Sequence, residues 1–178
     1  QVPHHEWVNG SAGVLITETQ GLSWSVSPKF TLPGHQSWLI ENTVAQTTSG
    51  YVLQLFRTGL GTLYQTWSPD FGSSWSKPVP TALPNPNSKV HMITLSNGYL
   101  LLAYNHSPNA RSPLSLALSR NEGRSWRLVG ELETDAALQF AYPTLEQRGS
   151  KVHVIYSVMR SDAAYRLIVQ GIKVATLD

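Results

Sequence analysis

The sequence has no cysteine and little charge, and both absences narrow its possible functions. Without cysteine, disulfide bonds, thiolate metal sites and a cysteine nucleophile are excluded. Charged residues make up 13% of the 178 residues and the formal net charge is +2, so we expect no nucleic-acid partner. Because 41% of the residues are hydrophobic, the composition also excludes a disordered chain.

Long apolar runs are absent too, and no segment reaches the roughly 18 residues that a membrane-spanning helix needs. No basic and apolar leader stands at the start of the sequence, so we expect neither a membrane span nor a signal peptide within it. The compartment stays open, because a β protein of this size needs no disulfides to fold outside the cell. Two glycosylation triplets, Asn9-Gly10-Ser11 and Asn105-His106-Ser107, weakly favour secretion.

The residues that are abundant indicate an all-β protein. Turn-forming residues are frequent, with 13 Gly and 11 Pro, and the 6 Trp and 7 Tyr are residues that strands prefer. Runs of helix-forming Glu, Lys and Ala are scarce. We therefore expect many short strands joined by tight turns, and no helical bundle.

An internal repeat organises the chain. The segments Thr17–Trp24, Ser68–Trp75 and Ser119–Trp126 share the pattern [ST]-x-[DNT]-x-G-x-S-W at intervals of 51 residues. Between the copies, apolar runs alternate with turn signals such as Asn97-Gly98, so that each period holds about four short strands. This is the content of one blade of a β-propeller.

We expect four units: the end of a blade with its turn motif at 1–37, two blades at 38–84 and 85–135, and a last blade at 136–178. The last unit lacks the motif, and its second and third strands are expected at Val152–Tyr156 and Tyr165–Val169. The sequence holds about three and a half periods, fewer than a closed propeller needs. We therefore expect a partial propeller whose partner is either a missing N-terminal half or a second copy of the chain.

The repeated turn has a structural role of its own. Its Ser or Thr and its Asp or Asn cap the backbone of a hairpin, its Gly adopts a positive φ, and its Trp packs between neighbouring blades. The motif resembles the Asp box, although Asn121 and Thr19 replace the aspartate that Asp70 retains. Its recurrence is similar to the bacterial-neuraminidase repeats of the sialidase superfamily, which implies a six-bladed propeller built of four-stranded antiparallel sheets.

Four residues match catalytic landmarks of that family in order along the chain. The segment Ile40-Glu41-Asn42-Thr43-Val44, the turn Ser49-Gly50 and the run Leu55-Phe56-Arg57 resemble the family's Glu, hairpin and Arg. Arg111 lies eight residues before the Ser of the next turn motif, as the family's further Arg does. Tyr142 takes the place of the family's tyrosine, although Pro143 stands where a Ser is usual.

The resemblance implies an exo-α-sialidase, a retaining glycoside hydrolase that cleaves terminal acidic sugars. Arg57 and Arg111 would bind the substrate carboxylate through paired hydrogen bonds. Tyr142 would be the nucleophile, because a carboxylate would be repelled by the substrate, and Glu41 would accept its proton. The family's first Arg and its Asp acid/base have no match before Thr17.

Structural interpretations of these residues stay open. Glu41 suits a solvated strand edge, Arg57 and Arg111 suit surface ion pairs, and Tyr142 suits packing between blades. Projecting the repeat from Glu41 onto the next unit gives Lys89, a cation expected at the same central opening as a further substrate-binding residue. A lysine at a strand start is also commonly solvated.

The six histidines lack the spacing of a metal site, and we expect neither a metal nor a cofactor. Two further functions fit the same scaffold. One is a carbohydrate-binding propeller fragment without catalysis, and the other is a polysaccharide lyase.

Overall fold

A computed structural model of the chain describes residues 1–8, 10–35, 37–162, 164 and 166–178. The described residues form four antiparallel sheets and no α-helix, which confirms the expected all-β class. A single 3-10 turn occurs at Pro33–His35. No helical segment in these ranges has the length and hydropathy of a membrane span.

The sheets follow one another along the chain, and each strand pairs with its neighbours in sequence order. The first sheet contains β1 (Val2–Glu6), β2 (Ser11–Ile16) and β3 (Ser25–Val26). The second contains β4 (Ile40–Gln46), β5 (Val52–Arg57), β6 (Thr62–Ser68) and β7 (Val79–Pro84). The third contains β8 (His91–Thr94), β9 (Leu100–Asn105), β10 (Leu114–Ser119) and β11 (Arg127–Glu133). The fourth contains β12 (Gln139–Arg148), β13 (Lys151–Ser161) and β14 (Leu167–Leu177).

These sheets are arranged as successive blades of a propeller that does not close. Only the second and third sheets have four strands, whereas the first and the last have three. The third strand expected in the last blade began at Tyr165, which lies outside the described residues; the strand there is β14, which runs on to Leu177.

The core lies between the blades. One apolar cluster joins the first and second sheets through Phe30, Leu39 and Phe56. A second joins the second and third sheets, and a third joins the third and fourth sheets. Central strands β5 and β9 are buried along their whole length because both of their faces are covered, and this explains their continuous apolar runs.

The three turn motifs share one pattern of hydrogen bonds despite their different third residues. Asp70 accepts from the backbone N–H of Ser74 at 2.7 Å, and Asn121 accepts from that of Ser125 at 2.9 Å. Thr19 accepts from the backbone N–H of Ser23 at 2.8 Å. The turn therefore needs an oxygen acceptor at this position and no negative charge.

The tryptophans of the motif divide into two groups. Trp75 packs on Phe30 with ring centroids 5.5 Å apart, and Trp126 packs on the cluster between the second and third sheets. Trp24 is 49% exposed, so the expected packing between blades is wrong for this copy among the described residues.

The structure argues against one of the two glycosylation triplets as a site for a glycan. Asn9 lies outside the described residues. Asn105 is fully buried, and its amide donates to the carbonyls of Pro113 and Phe140, so that this side chain cannot carry a glycan in the folded state.

Candidate functional site

The candidate site forms where strand ends of the second, third and fourth blades meet. Glu41 lies in β4, Arg57 ends β5, and the two strands pair at Ile40 and Arg57. Lys89 lies two residues before β8, and Tyr142 lies in β12. The sequence-derived residues thus come from three different sheets.

Glu41 and Arg57 form a buried ion pair. Nη1 of Arg57 donates to Oε2 of Glu41 at 2.5 Å, and the two side chains are 9% and 11% exposed. A carboxylate and a guanidinium this deeply buried stabilise each other, since either alone would be costly to bury. The interpretation of Glu41 as a solvated strand edge is therefore wrong.

Asn87 joins the arginines and was not recognised from the sequence. Its side-chain Oδ1 accepts from Nε of Arg57 at 2.7 Å and from Nε1 of Trp38 at 3.3 Å. Its backbone carbonyl accepts from Nη2 of Arg111 at 3.3 Å. Asn87 has φ 56°, a conformation that Asn tolerates better than most residues, and the turn-forming run from Asn85 to Ser88 was the signal for it.

Arg111 lies against the ring of Tyr142. Its Cζ is 6.0 Å from the centroid of that ring, and its own carbonyl accepts from the backbone N–H of Phe140 at 2.8 Å. Burial and then the charge of Arg57 lower the pKa of Arg111, while Tyr142 and Glu41 oppose this shift. The contacts of Arg57 and Arg111 with Asn87, and of Arg111 with Tyr142, place these side chains beside one another.

Tyr142 is 45% exposed and sits in a strained part of β12. Its φ is 55°, and the pairing of β12 with β13 is interrupted by a bulge between Ala141 and Thr144. Glu41 has the same features, with φ 44° and a bulge between Ile40 and Thr43. Left-handed backbone in bulky residues is uncommon and occurs preferentially at functional sites.

Lys89 reaches across to the strand that carries Tyr142. Its Nζ donates to the carbonyl of Pro143 at 3.0 Å. Burial lowers the pKa of Lys89, and the nearby charge of Glu41 opposes that effect. The solvated-lysine interpretation is therefore wrong.

A cavity of about 320 Å³ borders Arg111, and Pro86, Asn109, Ser112, Ala136 and Leu138 also line it. Cavities of about 390 and 480 Å³ lie elsewhere, between the outer strands of the second and third blades near Arg124. Arg111 is the member of the charged cluster that lines the cavity of about 320 Å³. We place the candidate site at the cluster itself, where Glu41, Arg57 and Arg111 meet through direct contacts and through Asn87. In the described part of the chain, no group of three His, Asp or Glu could hold a metal ion.

Residues 2–154 match the family model described as a BNR repeat-like domain. No curated protein matches the chain. A point mutant of the NanB sialidase from Streptococcus pneumoniae superposes with TM-score 0.74 at 20% identity, covering 96% of this chain and 28% of that one. The intramolecular trans-sialidase from Ruminococcus gnavus, solved with oseltamivir carboxylate, gives TM-score 0.74 at 18% identity, covering 94% and 38%.

A GH93 α-L-arabinofuranosidase from Fusarium graminearum, solved with arabinobiose, superposes less closely, with TM-score 0.53 at 15% identity over 67% of this chain and 40% of that one. The chain thus spans well under half the length of these solved relatives. The superpositions establish the partial propeller fold. These solved proteins are glycoside hydrolases of the sialidase and arabinofuranosidase kinds.

Proposed function

Because the chain belongs to the BNR repeat-like domain family of the sialidase superfamily, we propose that it supplies part of the active site of an exo-α-sialidase. In this proposal the enzyme cleaves terminal acidic sugars with retention of configuration. The observation that carries it is the convergence of Glu41, Arg57, Arg111 and Tyr142 from three blades.

Arg57 and Arg111 bind the carboxylate of the sugar. Both keep their charge at neutral pH, and their planar donor groups suit a carboxylate better than an ammonium does. Asn87 orients both guanidiniums through its two oxygens. Lys89 adds a third cation to the site, which favours an anionic ligand further.

Tyr142 attacks the anomeric carbon as the glycosidic C–O bond breaks, and Glu41 takes the phenolic proton. The departing sugar oxygen takes a proton from water or from an acid outside the described site, and water then cleaves the bond between the tyrosine and the sugar. A phenol at its ordinary pKa near 10 is a weak nucleophile, so a neighbouring base is needed. A neutral nucleophile avoids repulsion by the substrate carboxylate, which is the physical reason for a tyrosine here. The exposed ring of Tyr142 lies where a ligand can reach it.

The test is hydrolysis of a fluorogenic α-sialoside by the full-length protein and by Tyr142→Phe. We expect turnover in the parent and a loss of about 1,000-fold or more in the variant. Tyr51→Phe is the matched control, since Tyr51 is similarly exposed at 39% and lies outside the site. Full activity in Tyr142→Phe, or no turnover of any sialoside by the parent, contradicts the proposal.

A second candidate function is carbohydrate binding without catalysis. Among the described residues, no Asp side chain hydrogen-bonds or pairs with the site residues, so the acid/base of a hydrolase has no representative there. Calorimetry with free sialic acid and the fluorogenic assay together distinguish the two functions, because a binding module gives saturable heat with the free sugar and hydrolyses no sialoside.

A further inference from the structure

Glu41, Lys89 and Tyr142 occupy one equivalent position in three successive blades. Two residues further along the chain stand Thr43, His91 and Thr144, respectively. Each of these is paired with a residue of the central strand of its blade. The pairs are Thr43 with Leu55, His91 with Ala103 and Thr144 with Ile155.

The residue two positions later ties each blade to the next. Thr43 accepts from the backbone N–H of Met92 at 3.0 Å, and His91 accepts through Nδ1 from that of Leu145 at 2.9 Å. Met92 and Leu145 occupy equivalent positions in their strands, so one device is used twice.

The strand that carries Tyr142 has an additional contact. Lys89 donates to the carbonyl of Pro143, the residue directly after Tyr142. At the preceding interface the equivalent residue, Glu41, pairs with Arg57 of its own blade. The comparison of the two interfaces therefore separates a contact that both have, made by Thr43 and His91, from one that the described residues show only beside Tyr142.

Tyr142 needs such support, because its left-handed backbone and the bulge deprive this segment of regular pairing with β13. Lys89, two residues before β8, donates to Pro143, and His91, the first residue of β8, accepts from Leu145. Together these two hydrogen bonds attach the segment that begins at Tyr142, in the fourth blade, to the third blade.

We propose that Lys89 and His91 are positioning residues that set the orientation of the Tyr142 phenol through the backbone of β12. This inference rests on the proposed function for its catalytic meaning, but its geometry can be tested without turnover. His91 performs this role as a neutral imidazole, since burial and the charge of Lys89 lower its pKa to about 4.

In the test, the full-length protein is labelled with 3-fluorotyrosine and its ¹⁹F NMR spectrum is recorded. The signal of residue 142 is the one that disappears in Tyr142→Phe. Lys89→Met removes the ammonium at constant length, and His91→Leu removes the acceptor. His91→Asn keeps an acceptor near the position of Nδ1. Thr43→Val, at the equivalent contact one blade earlier, is the matched control.

We expect Lys89→Met and His91→Leu to shift the Tyr142 signal, and His91→Asn to restore it. Thr43→Val should leave the signal unchanged. With a fluorogenic sialoside, Lys89→Met should lower kcat by about 10- to 100-fold through the displaced phenol, and KM should rise because the site also loses a cation.

An unmoved Tyr142 signal in Lys89→Met overturns the inference, even if His91→Leu fails to fold. An equal shift in Thr43→Val overturns it as well, since the effect would then be general loosening of the blades. If the parent hydrolyses no sialoside, the proposed function fails, while the ¹⁹F signals still decide the positioning role.

Discussion

Asn87 fixes the direction of Arg57: its side-chain Oδ1 accepts from Nε of the guanidinium at 2.7 Å, on the edge that does not face Glu41. The orientation of the Arg57 guanidinium therefore depends on a residue from the blade after the one that carries the arginine. A neutral amide can do this without competing for the charge of the guanidinium.

Asn87→Gly should weaken the binding of free sialic acid by about 10-fold or more, the usual cost of losing a hydrogen bond to a charged group. Glycine keeps the φ of 56° accessible, so the backbone is not the cause of the loss. Isothermal titration calorimetry measures the affinity. Unchanged affinity would mean that Arg57 keeps its orientation without Asn87.

Glu41→Gln should lower the free energy of unfolding by about 3 kcal/mol, because Arg57 is left buried without its counter-ion. The matched control is Glu146→Gln, which breaks an ion pair with Arg148 whose side chains are 47% and 73% exposed. That change should cost less than about 1 kcal/mol. Urea unfolding compares the two, and equal losses would refute a special role for the buried pair.

Stability should fall on acidification through the titration of His91. Its pKa is about 4 in the folded protein against an ordinary 6.5, so the unfolded chain binds more protons between these values. The free energy of unfolding contributed by this group therefore decreases as the pH falls from about 6.5 to 4, by up to about 3 kcal/mol. The difference between the parent and His91→Asn, measured by urea unfolding across this range, isolates the effect from other titrating groups; a flat difference contradicts it.

Gly123→Ala should destabilise the protein by about 2 kcal/mol or more. Gly123 has φ +88°, and an added Cβ would lie 2.3 Å from Cδ2 of Leu53 and 3.2 Å from Cη2 of Trp67 in the preceding blade. Gly130→Ala is the control, because no atom lies within 4 Å of the Cβ that it adds. Thermal melts of both variants check the expectation, which fails if they unfold at the same temperature.

The repeat made most of the fold predictable from the sequence. Turn motifs at constant spacing identified the blades, and continuous apolar runs located the central strands, such as Val52–Arg57 and Leu100–Asn105. The length of β14 was not predictable, because its exposed residues, among them Val169 and Ile172, mix with polar ones and give no clear period.

The site was partly predictable, since Glu41 and Arg57 lie on adjacent paired strands and their spacing is a local property of a hairpin. Contacts between blades have no comparable signal in the sequence. His91 holds Leu145, and Lys89 holds Pro143, each 54 residues further along the chain. In each of these hydrogen bonds the partner contributes only a backbone atom, which every kind of residue has. The contact therefore depends on how the blades pack and gives no signal in the identity of the partner residue.

One position of the repeat carries an acid, an amine and a phenol in three successive blades, as Glu41, Lys89 and Tyr142. In the two blades that are followed by another blade, the residue two positions later accepts a hydrogen bond from the next blade. The variable position and the position that joins the blades are therefore distinct, and a substitution at the first can change the chemistry of the site while the hydrogen bond at the second is retained.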